Sequence, residues 1–172
     1  MTRTVLGIDP GGRESGLVVR QRDDLAAHRV VVRPDRARLP DGRYVRQVLA
    51  ACTELLALAG VGPRDPDLIV TVEGVAYWPE RQVAGKAPRD QRGLYGTAIV
   101  LGAILARWPT AELVEPGAGH GGLGAMVYPD DIKPPVNGAG TDRLRHCRSA
   151  WDVSYRGENA YLIRAREAPT PT

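Results

Sequence analysis

The sequence predicts an α/β fold built on a mixed five-stranded sheet with helices on both faces. Near the N-terminus, three short apolar segments follow one another between polar turns, the pattern of an antiparallel meander. Apolar segments then alternate with stretches of helical period, the pattern of parallel strands joined by helices. The complete element order is βββαβαβα.

The predicted meander occupies residues 5–8, 15–19 and 27–32. Its first strand ends in the turn sequence Asp-Pro-Gly-Gly, and a polar turn at residues 21–24 separates the second strand from the third. Short apolar segments bounded by such turns are typical of buried strands.

Helices and strands alternate through the rest of the chain. The predicted helices lie at residues 44–59, 91–108 and 141–155, and the predicted strands at 68–73 and 111–114. Thr141 is the expected N-cap of the last helix, and Asp142 is expected in its first turn. We expect residues 1–167 to form one domain and residues 168–172 to form a disordered tail.

Composition narrows the function only a little. Hydrophobic residues make up 43% and charged residues 25%, which is ordinary for a globular protein, and the formal net charge is +3. All basic residues except Lys86 and Lys133 are arginine, whose planar guanidinium suits phosphate. A GC-rich coding sequence explains that bias equally well.

Several features predict a cytoplasmic protein. No apolar stretch is long enough to span a membrane, and the N-terminus becomes acidic too early for a signal peptide. Cys52 and Cys147 have neither a disulfide pattern nor a zinc spacing, and each lies in an apolar helical pattern. Buried free thiols of this kind fit a reducing compartment.

Three carboxylates stand at places where chemistry is expected. Asp9 ends the first strand, Glu73 ends the fourth, and Asp152 lies among apolar residues of the last helix. If the two strands are neighbours, Asp9 and Glu73 leave the sheet at the same edge. Converging carboxylates repel one another, and a Mg²⁺ or Mn²⁺ ion would relieve that repulsion. Taken singly, each has an ordinary structural explanation: a turn cap, a strand end and an exposed helix position.

The segments around these carboxylates resemble motifs of the RuvC-type Holliday-junction resolvases, which belong to the RNase H-like superfamily. They read Val-Leu-Gly-Ile-Asp-Pro-Gly-Gly at residues 5–12, Leu-Ile-Val-Thr-Val-Glu-Gly at 68–74 and Arg-Ser-Ala-Trp-Asp-Val-Ser at 148–154. The last is also similar to RuvC-like proteins of actinobacterial phages.

The resemblance implies an RNase H-like fold and a metal-dependent endodeoxyribonuclease. It implies that Asp9, Glu73 and Asp152 are catalytic and hold Mg²⁺ or Mn²⁺, with two ions expected. It also implies branched DNA as the partner, four-way junctions first, and a homodimer that makes paired hydrolytic nicks. No membrane partner is expected.

The resemblance is incomplete at one position. Resolvases of this type carry a fourth acidic residue, or in some a histidine, one helical turn before the final aspartate, where this chain has Ser149. The site therefore either has three carboxylates or is completed by Asp142, His146 or Glu14 through a different geometry. Neither Asp142 nor His146 is expected to share the helix face of Asp152.

A positively charged surface around the acidic site is also implied. The candidates for phosphate contact are Arg13, Arg81, Lys86, Arg89, Arg92 and Lys133. Tyr77 and Trp78 are candidates to stack on bases or wedge a junction open. A solvated loop with two packed aromatic side chains accounts for the same segment equally well.

Three other functions fit the sequence in part. An actin-like ATPase or sugar kinase would use Gly-Ile-Asp-Pro-Gly-Gly as a phosphate loop, but those folds are duplicated and this chain has no second copy. A flap or RNA-hybrid nuclease could use the same fold. A catalytically inactive RNase H-like module that binds DNA fits the serine at position 149.

Overall fold

The fold is seen in a computed structural model that describes residues 3–34, 39–75, 91–116, 127–135 and 142–167. Its elements are β1 (Thr4–Asp9), β2 (Glu14–Gln21), β3 (Asp24–Val32), α1 (Gly42–Leu58), β4 (Leu68–Glu73), α2 (Gln91–Arg107), β5 (Glu112–Val114), a short 3-10 helix (Asp130–Ile132) and α3 (Arg145–Glu167). This confirms the order predicted from the sequence. Within these ranges, none of the helices combines the length and the apolar character needed to cross a membrane.

The sheet has five strands in the order β3-β2-β1-β4-β5. β1 pairs antiparallel with β2 and parallel with β4, and β4 pairs parallel with β5. The register aligns Gly7 with Thr71 and Ile8 with Val72. Asp9 and Glu73, the next residue on each strand, therefore end neighbouring parallel strands at the same edge of the sheet.

The meander strands are longer than the sequence predicted. β3 begins at Asp24 rather than at residue 27, and Gln21 pairs with Asp24 in the ladder. Only Arg22 and Asp23 remain in the turn, with Arg22 in the left-handed region at φ 55°. A two-residue hairpin turn needs positive φ, and this conformation lets the polar residues around it join the strands.

Helices cover both faces of the sheet, as predicted. α1 and α2 cover one face, where Tyr44, Val48 and Ile104 pack with Leu6 and other inward-facing strand residues. α3 covers the opposite face through a second cluster that contains Val18, Cys147, Ala150, Trp151, Tyr128 and Ile132. Cys52 and Cys147 are both buried and free, which confirms that prediction.

The last helix differs from its prediction at both ends. It begins at Arg145, and Asp142 precedes it rather than lying in its first turn; Thr141, the predicted N-cap, lies outside the described residues. The residues before the helix form tighter turns, in which Arg145 N donates to the Asp142 carbonyl and His146 N to the Arg143 carbonyl, three residues back instead of four. The Asp142 carboxylate forms an ion pair with the buried side chain of Arg148. The helix continues to residue 167 because its second half is rich in helix-favouring residues and has no proline.

Glycines allow α3 to lie directly on the strands. A Cβ atom on Gly16 would stand 2.1 Å from the His146 carbonyl oxygen, and one on Gly7 would stand 2.2 Å from the Ala150 carbonyl oxygen. Real side chains do not tolerate such distances, so the helix backbone comes closer than any residue with a side chain would permit. The polar side chains of α3 are thereby brought to the strand ends.

Candidate functional site

Asp9 and Glu73 form the centre of the candidate site. The pKa of Glu73 is raised to about 7, first by burial and then by the nearby Asp9 carboxylate, which shares a hydrogen bond with it. The Ser149 hydroxyl and the positive charge of Arg156 act in the opposite direction. Burial and the neighbouring negative charge thus keep a proton on Glu73 up to near-neutral pH, as expected where two carboxylates share a poorly solvated place.

Ser149 stands where the resemblance led us to expect a fourth acidic side chain. Its hydroxyl donates a hydrogen bond of 3.2 Å to Glu73 Oε2. Position 149 therefore contacts a carboxylate of the candidate site, but its side chain supplies a neutral hydrogen-bond donor instead of another negative charge.

His146 joins the site from the first turn of α3. Its Nδ1 lies 2.9 Å from Asp9 Oδ2, and its Nε2 lies 3.3 Å from Glu14 Oε2. Arg143 Nε stands 3.6 Å from the other oxygen of Glu14. Two of the three residues considered for completing the site, His146 and Glu14, are therefore beside Asp9. Glu14 lies there because it begins β2, the strand that pairs with β1. His146 reaches the site because α3 crosses the sheet, so successive turns of the helix meet different strands.

Asp142, the third residue considered, makes a structural contact instead. Arg148, with only 3% of its side chain exposed, pairs with Asp142 and also donates a 3.0 Å hydrogen bond to the Ile132 carbonyl. This arrangement ties the short 3-10 helix to α3.

Asp152 lies on the side of α3 that meets Glu73. It is three residues after Ser149 and four before Arg156, and both of these residues act on Glu73. Residues at such spacings share one helix face. Its Oδ2 accepts a 3.0 Å hydrogen bond from the Tyr128 hydroxyl.

The donor set at the strand ends fits a hard divalent cation. Asp9 and Glu73 could hold it with carboxylate oxygens, the ligands that Mg²⁺ and Mn²⁺ prefer, and its charge would replace the proton that Glu73 otherwise keeps. Among the described residues, no group of three or more His, Cys, Asp or Glu side chains is arranged so that it could hold a metal ion. The fit therefore rests on two adjacent carboxylates, with Asp152 on the helix face above them.

The turn that follows Asp9 is braced by residues that sequence reasoning missed. The buried Tyr44 hydroxyl donates to the Gly11 carbonyl at 3.1 Å and lies 3.0 Å from Ser15 Oγ. The sequence pattern placed Tyr44 only among the apolar positions of a helix. A buried tyrosine needs a partner for its hydroxyl, and that requirement was the available signal. No comparable signal in the sequence indicates that the hydroxyl of Tyr128 contacts Asp152.

The proposed phosphate contacts are only partly visible. Arg13 is exposed beside the turn, and Lys133 is exposed but forms an ion pair with Asp130. The remaining candidates for phosphate contact lie outside the described residues: Arg81, Lys86, Arg89 and the side chain of Arg92. The two aromatic residues predicted to stack on bases, Tyr77 and Trp78, also lie outside them.

Comparisons with known proteins find the fold among solved structures. T. thermophilus RuvC in complex with a Holliday junction substrate matches with 18% identity over 95% of this chain and 96% of that chain, at a TM-score of 0.54. A second Thermus thermophilus RuvC structure matches with 17% identity over 94% and 96%, at a TM-score of 0.51. No family model and no curated protein matches the chain. The chain therefore has the RuvC-like, RNase H-like fold predicted from its motifs.

Proposed function

We propose that the protein is a divalent-metal-dependent endonuclease that cuts branched DNA, with four-way junctions as the foremost substrate. The observation that carries the proposal is the pair Asp9 and Glu73 at one sheet edge, contacted by His146 and Ser149 of the helix above. The likeness of the whole fold to RuvC, one of whose structures holds a Holliday junction substrate, supports the choice of DNA.

In this proposal Asp9, Glu73 and Asp152 hold Mg²⁺ or Mn²⁺, with two ions expected. Bound there, the metal would activate a water and stabilise the leaving oxygen. Hydrolysis breaks the bond between phosphorus and the 3′ oxygen, which takes up a proton, while the oxygen of water remains on phosphorus. The products are a 5′-phosphate and a 3′-hydroxyl.

One assay tests the activity. A labelled four-way junction is incubated with Mg²⁺ or Mn²⁺ and, separately, with EDTA, alongside a flap, a fork, an RNA–DNA hybrid and linear duplex. We expect metal-dependent nicks in the junction that carry 5′-phosphates. Cleavage confined to the flap or the hybrid would assign the alternative nuclease substrates, and no cleavage of any substrate would contradict the nuclease proposal.

A catalytically inactive DNA-binding module is the second candidate. It is favoured by Ser149, which replaces a charge with a hydroxyl, and by the hydrogen bond between Tyr128 and Asp152. Such a module would bind junctions with the same affinity in EDTA and in Mn²⁺, and calorimetry would detect no Mn²⁺ binding at Asp9 and Glu73. Mn²⁺ binding that disappears in Asp9→Asn would contradict it.

A homodimer is part of the proposal, and α2 is its proposed interface. Tyr95 and Ile99 are 61% and 41% exposed on this helix, and no charged residue occurs between positions 93 and 106. Two equivalent sites related by a two-fold axis would make the paired nicks that resolution requires. Light scattering of Tyr95→Glu and Ile99→Glu tests the interface. A monomeric wild-type chain, free and on junction DNA, would contradict it.

Three predictions from the sequence accompany this proposal. They are that residues 1–167 act as one nuclease domain, that the protein works in the cytoplasm, and that it comes from a phage or an actinobacterium. The last depends only on the motif around Asp152.

A further inference from the structure

The proposed site poses an electrostatic problem for its substrate. Asp9 and Glu14 place negative charges at the strand ends, and Glu73 adds another once it loses its proton. Asp152 follows on the helix face that meets Glu73. A DNA strand carries one negative charge per phosphate. Metal ions compensate only at the phosphate being cut, so the phosphates on either side would be repelled unless fixed cations lie nearby.

Two arginines of α3 lie at the two ends of the carboxylate region. Arg145, Ser149, Asp152 and Arg156 follow one another at spacings of four, three and four residues, which places them in one stripe along the helix. At the first end, Arg145 Nε lies 3.3 Å from His146 Nε2. At the other end, the charge of Arg156 acts on Glu73.

The carboxylates are recessed and the arginines are exposed. Asp9 and Glu14 have 15% and 25% of their side chains exposed, whereas Arg145 and Arg156 both lie on the surface. A strand that approaches the stripe therefore meets guanidinium groups before it meets carboxylates. Guanidinium can hold a phosphate through two parallel hydrogen bonds.

The spacing of the two arginines would allow them to contact phosphates on either side of the phosphate that is cut. Eleven residues of helix separate them by about 16 Å at about 1.5 Å per residue. One strand of a duplex presents a phosphate about every 3.4 Å along its axis, so roughly five intervals fit between the arginines. Ser149 and Asp152 lie near the middle of that span.

We propose that Arg145 and Arg156 bind phosphates of the cleaved DNA strand on opposite sides of the phosphate that is cut. The proposal rests on the proposed function and adds to it the path of the strand, which runs along α3. Lys133 and Arg13 are not needed for this path.

Salt-dependent binding of a four-way junction in EDTA tests the two contacts without requiring cleavage. We expect Arg145→Ala and Arg156→Ala each to weaken binding about tenfold at about 0.1 M salt. Each should also make the negative slope of log affinity against log salt shallower by about one. The double variant should make the slope shallower by about two. Arg145→Lys and Arg156→Lys should keep most of the slope because the charge remains.

Arg64→Ala is the matched control, because this exposed arginine precedes β4, at the opposite end of that strand from Glu73. Its affinity and slope should equal those of the wild type. Unchanged affinity and slope in both single alanine variants would overturn the proposal. A lowered melting temperature with an unchanged slope would also overturn it, because it would show a merely structural role.

Neutral methylphosphonates placed along the junction strand test whether the two arginines contact phosphates on opposite sides of the cut. Substitution on one side of the cut should abolish the effect of Arg145→Ala, and substitution on the other side should abolish that of Arg156→Ala. If methylphosphonates on one and the same side abolish the effects of both variants, the arginines do not lie on opposite sides of the cut and the proposal is wrong. If the wild type binds with the expected slope but never cleaves, the proposed nuclease function fails while these phosphate contacts stand.

Discussion

His146 and Asp9 are joined by a 2.9 Å contact between Nδ1 and Oδ2, although 137 positions separate them in the chain. The other ring nitrogen lies 3.3 Å from Glu14. The imidazole therefore bridges two carboxylates and connects the first turn of α3 to the end of β1. Such a bridge restricts the orientation of Asp9, one of the three residues proposed to hold the metal.

His146→Ala should lower metal affinity and cleavage by about 10–100-fold, because Asp9 loses the partner that orients it. Mn²⁺ calorimetry and single-turnover cleavage measure the two effects. His28→Ala is the control, since His28 lies on β3, two strands away from β1. Wild-type metal affinity and cleavage in His146→Ala would remove this histidine from the site.

Asp9→Asn, Glu73→Gln and Asp152→Asn should each abolish junction cleavage. Each change keeps the size of the side chain and removes a negative charge that would hold the cation. Circular dichroism and junction binding in EDTA should remain close to those of the wild type. A variant that cleaves at the full rate would exclude its residue from the metal site.

Glu73→Gln should stabilise the metal-free protein at alkaline pH. In the native state Glu73 keeps its proton to about pH 7, whereas an ordinary value near 4.5 applies when the chain is unfolded. Between these values the native state binds more protons, so its stability falls as pH rises, and the full cost is present above pH 7. Because Glu73 is partly solvated, we expect a gain of only about 1 kcal/mol, roughly 3 °C in melting temperature.

The measurement is thermal unfolding in EDTA from pH 4.5 to pH 8.5. The stability that Glu73→Gln gains over the wild type should be largest above pH 7. It should shrink toward pH 4.5, where native Glu73 is protonated and so as neutral as the glutamine. Glu167→Gln, at the exposed end of α3, should show no such trend. A gain that is equal at all pH values would contradict the explanation.

Ser149→Asp should tighten Mn²⁺ binding and destabilise the metal-free protein. The new carboxylate would stand next to Glu73, where Ser149 Oγ now lies 3.2 Å from Oε2. It adds repulsion without metal and a ligand with metal. Calorimetry and thermal unfolding in EDTA measure both effects, and Ser149→Asn controls for size. Unchanged Mn²⁺ affinity would show that this helix position does not reach the ion.

Gly16→Ala should destabilise the protein by about 1–3 kcal/mol, or roughly 3–10 °C in melting temperature. The new Cβ would stand 2.1 Å from the His146 carbonyl oxygen, so the first turn of α3 must move away from β2. The contact between His146 and Asp9 should weaken with it. Gly62→Ala is the control, because a Cβ there meets nothing within 4 Å. A melting temperature equal to that of the control would contradict this packing.

The sequence alone determined the kinds of elements, their order and the ends of the two strands that carry carboxylates. These follow from local patterns: apolar runs for the strands, helical period for the helices, and the turn sequence after Asp9. The ends of α3 did not follow: the tight turns before Arg145 are a backbone detail that side-chain periodicity does not encode, and the apolar period fades before the helix ends at Glu167.

Only the tertiary structure decided which side chains meet. It made β1 and β4 neighbours, so that Asp9 and Glu73 share an edge. It also placed His146 in contact with Asp9, whereas Asp142 forms an ion pair with Arg148. The physical reason is the path of α3 across the sheet, which depends on close contacts with Gly7 and Gly16 from distant parts of the chain. Spacing along one helix describes a single face, whereas a helix that crosses several strands presents different turns to different partners.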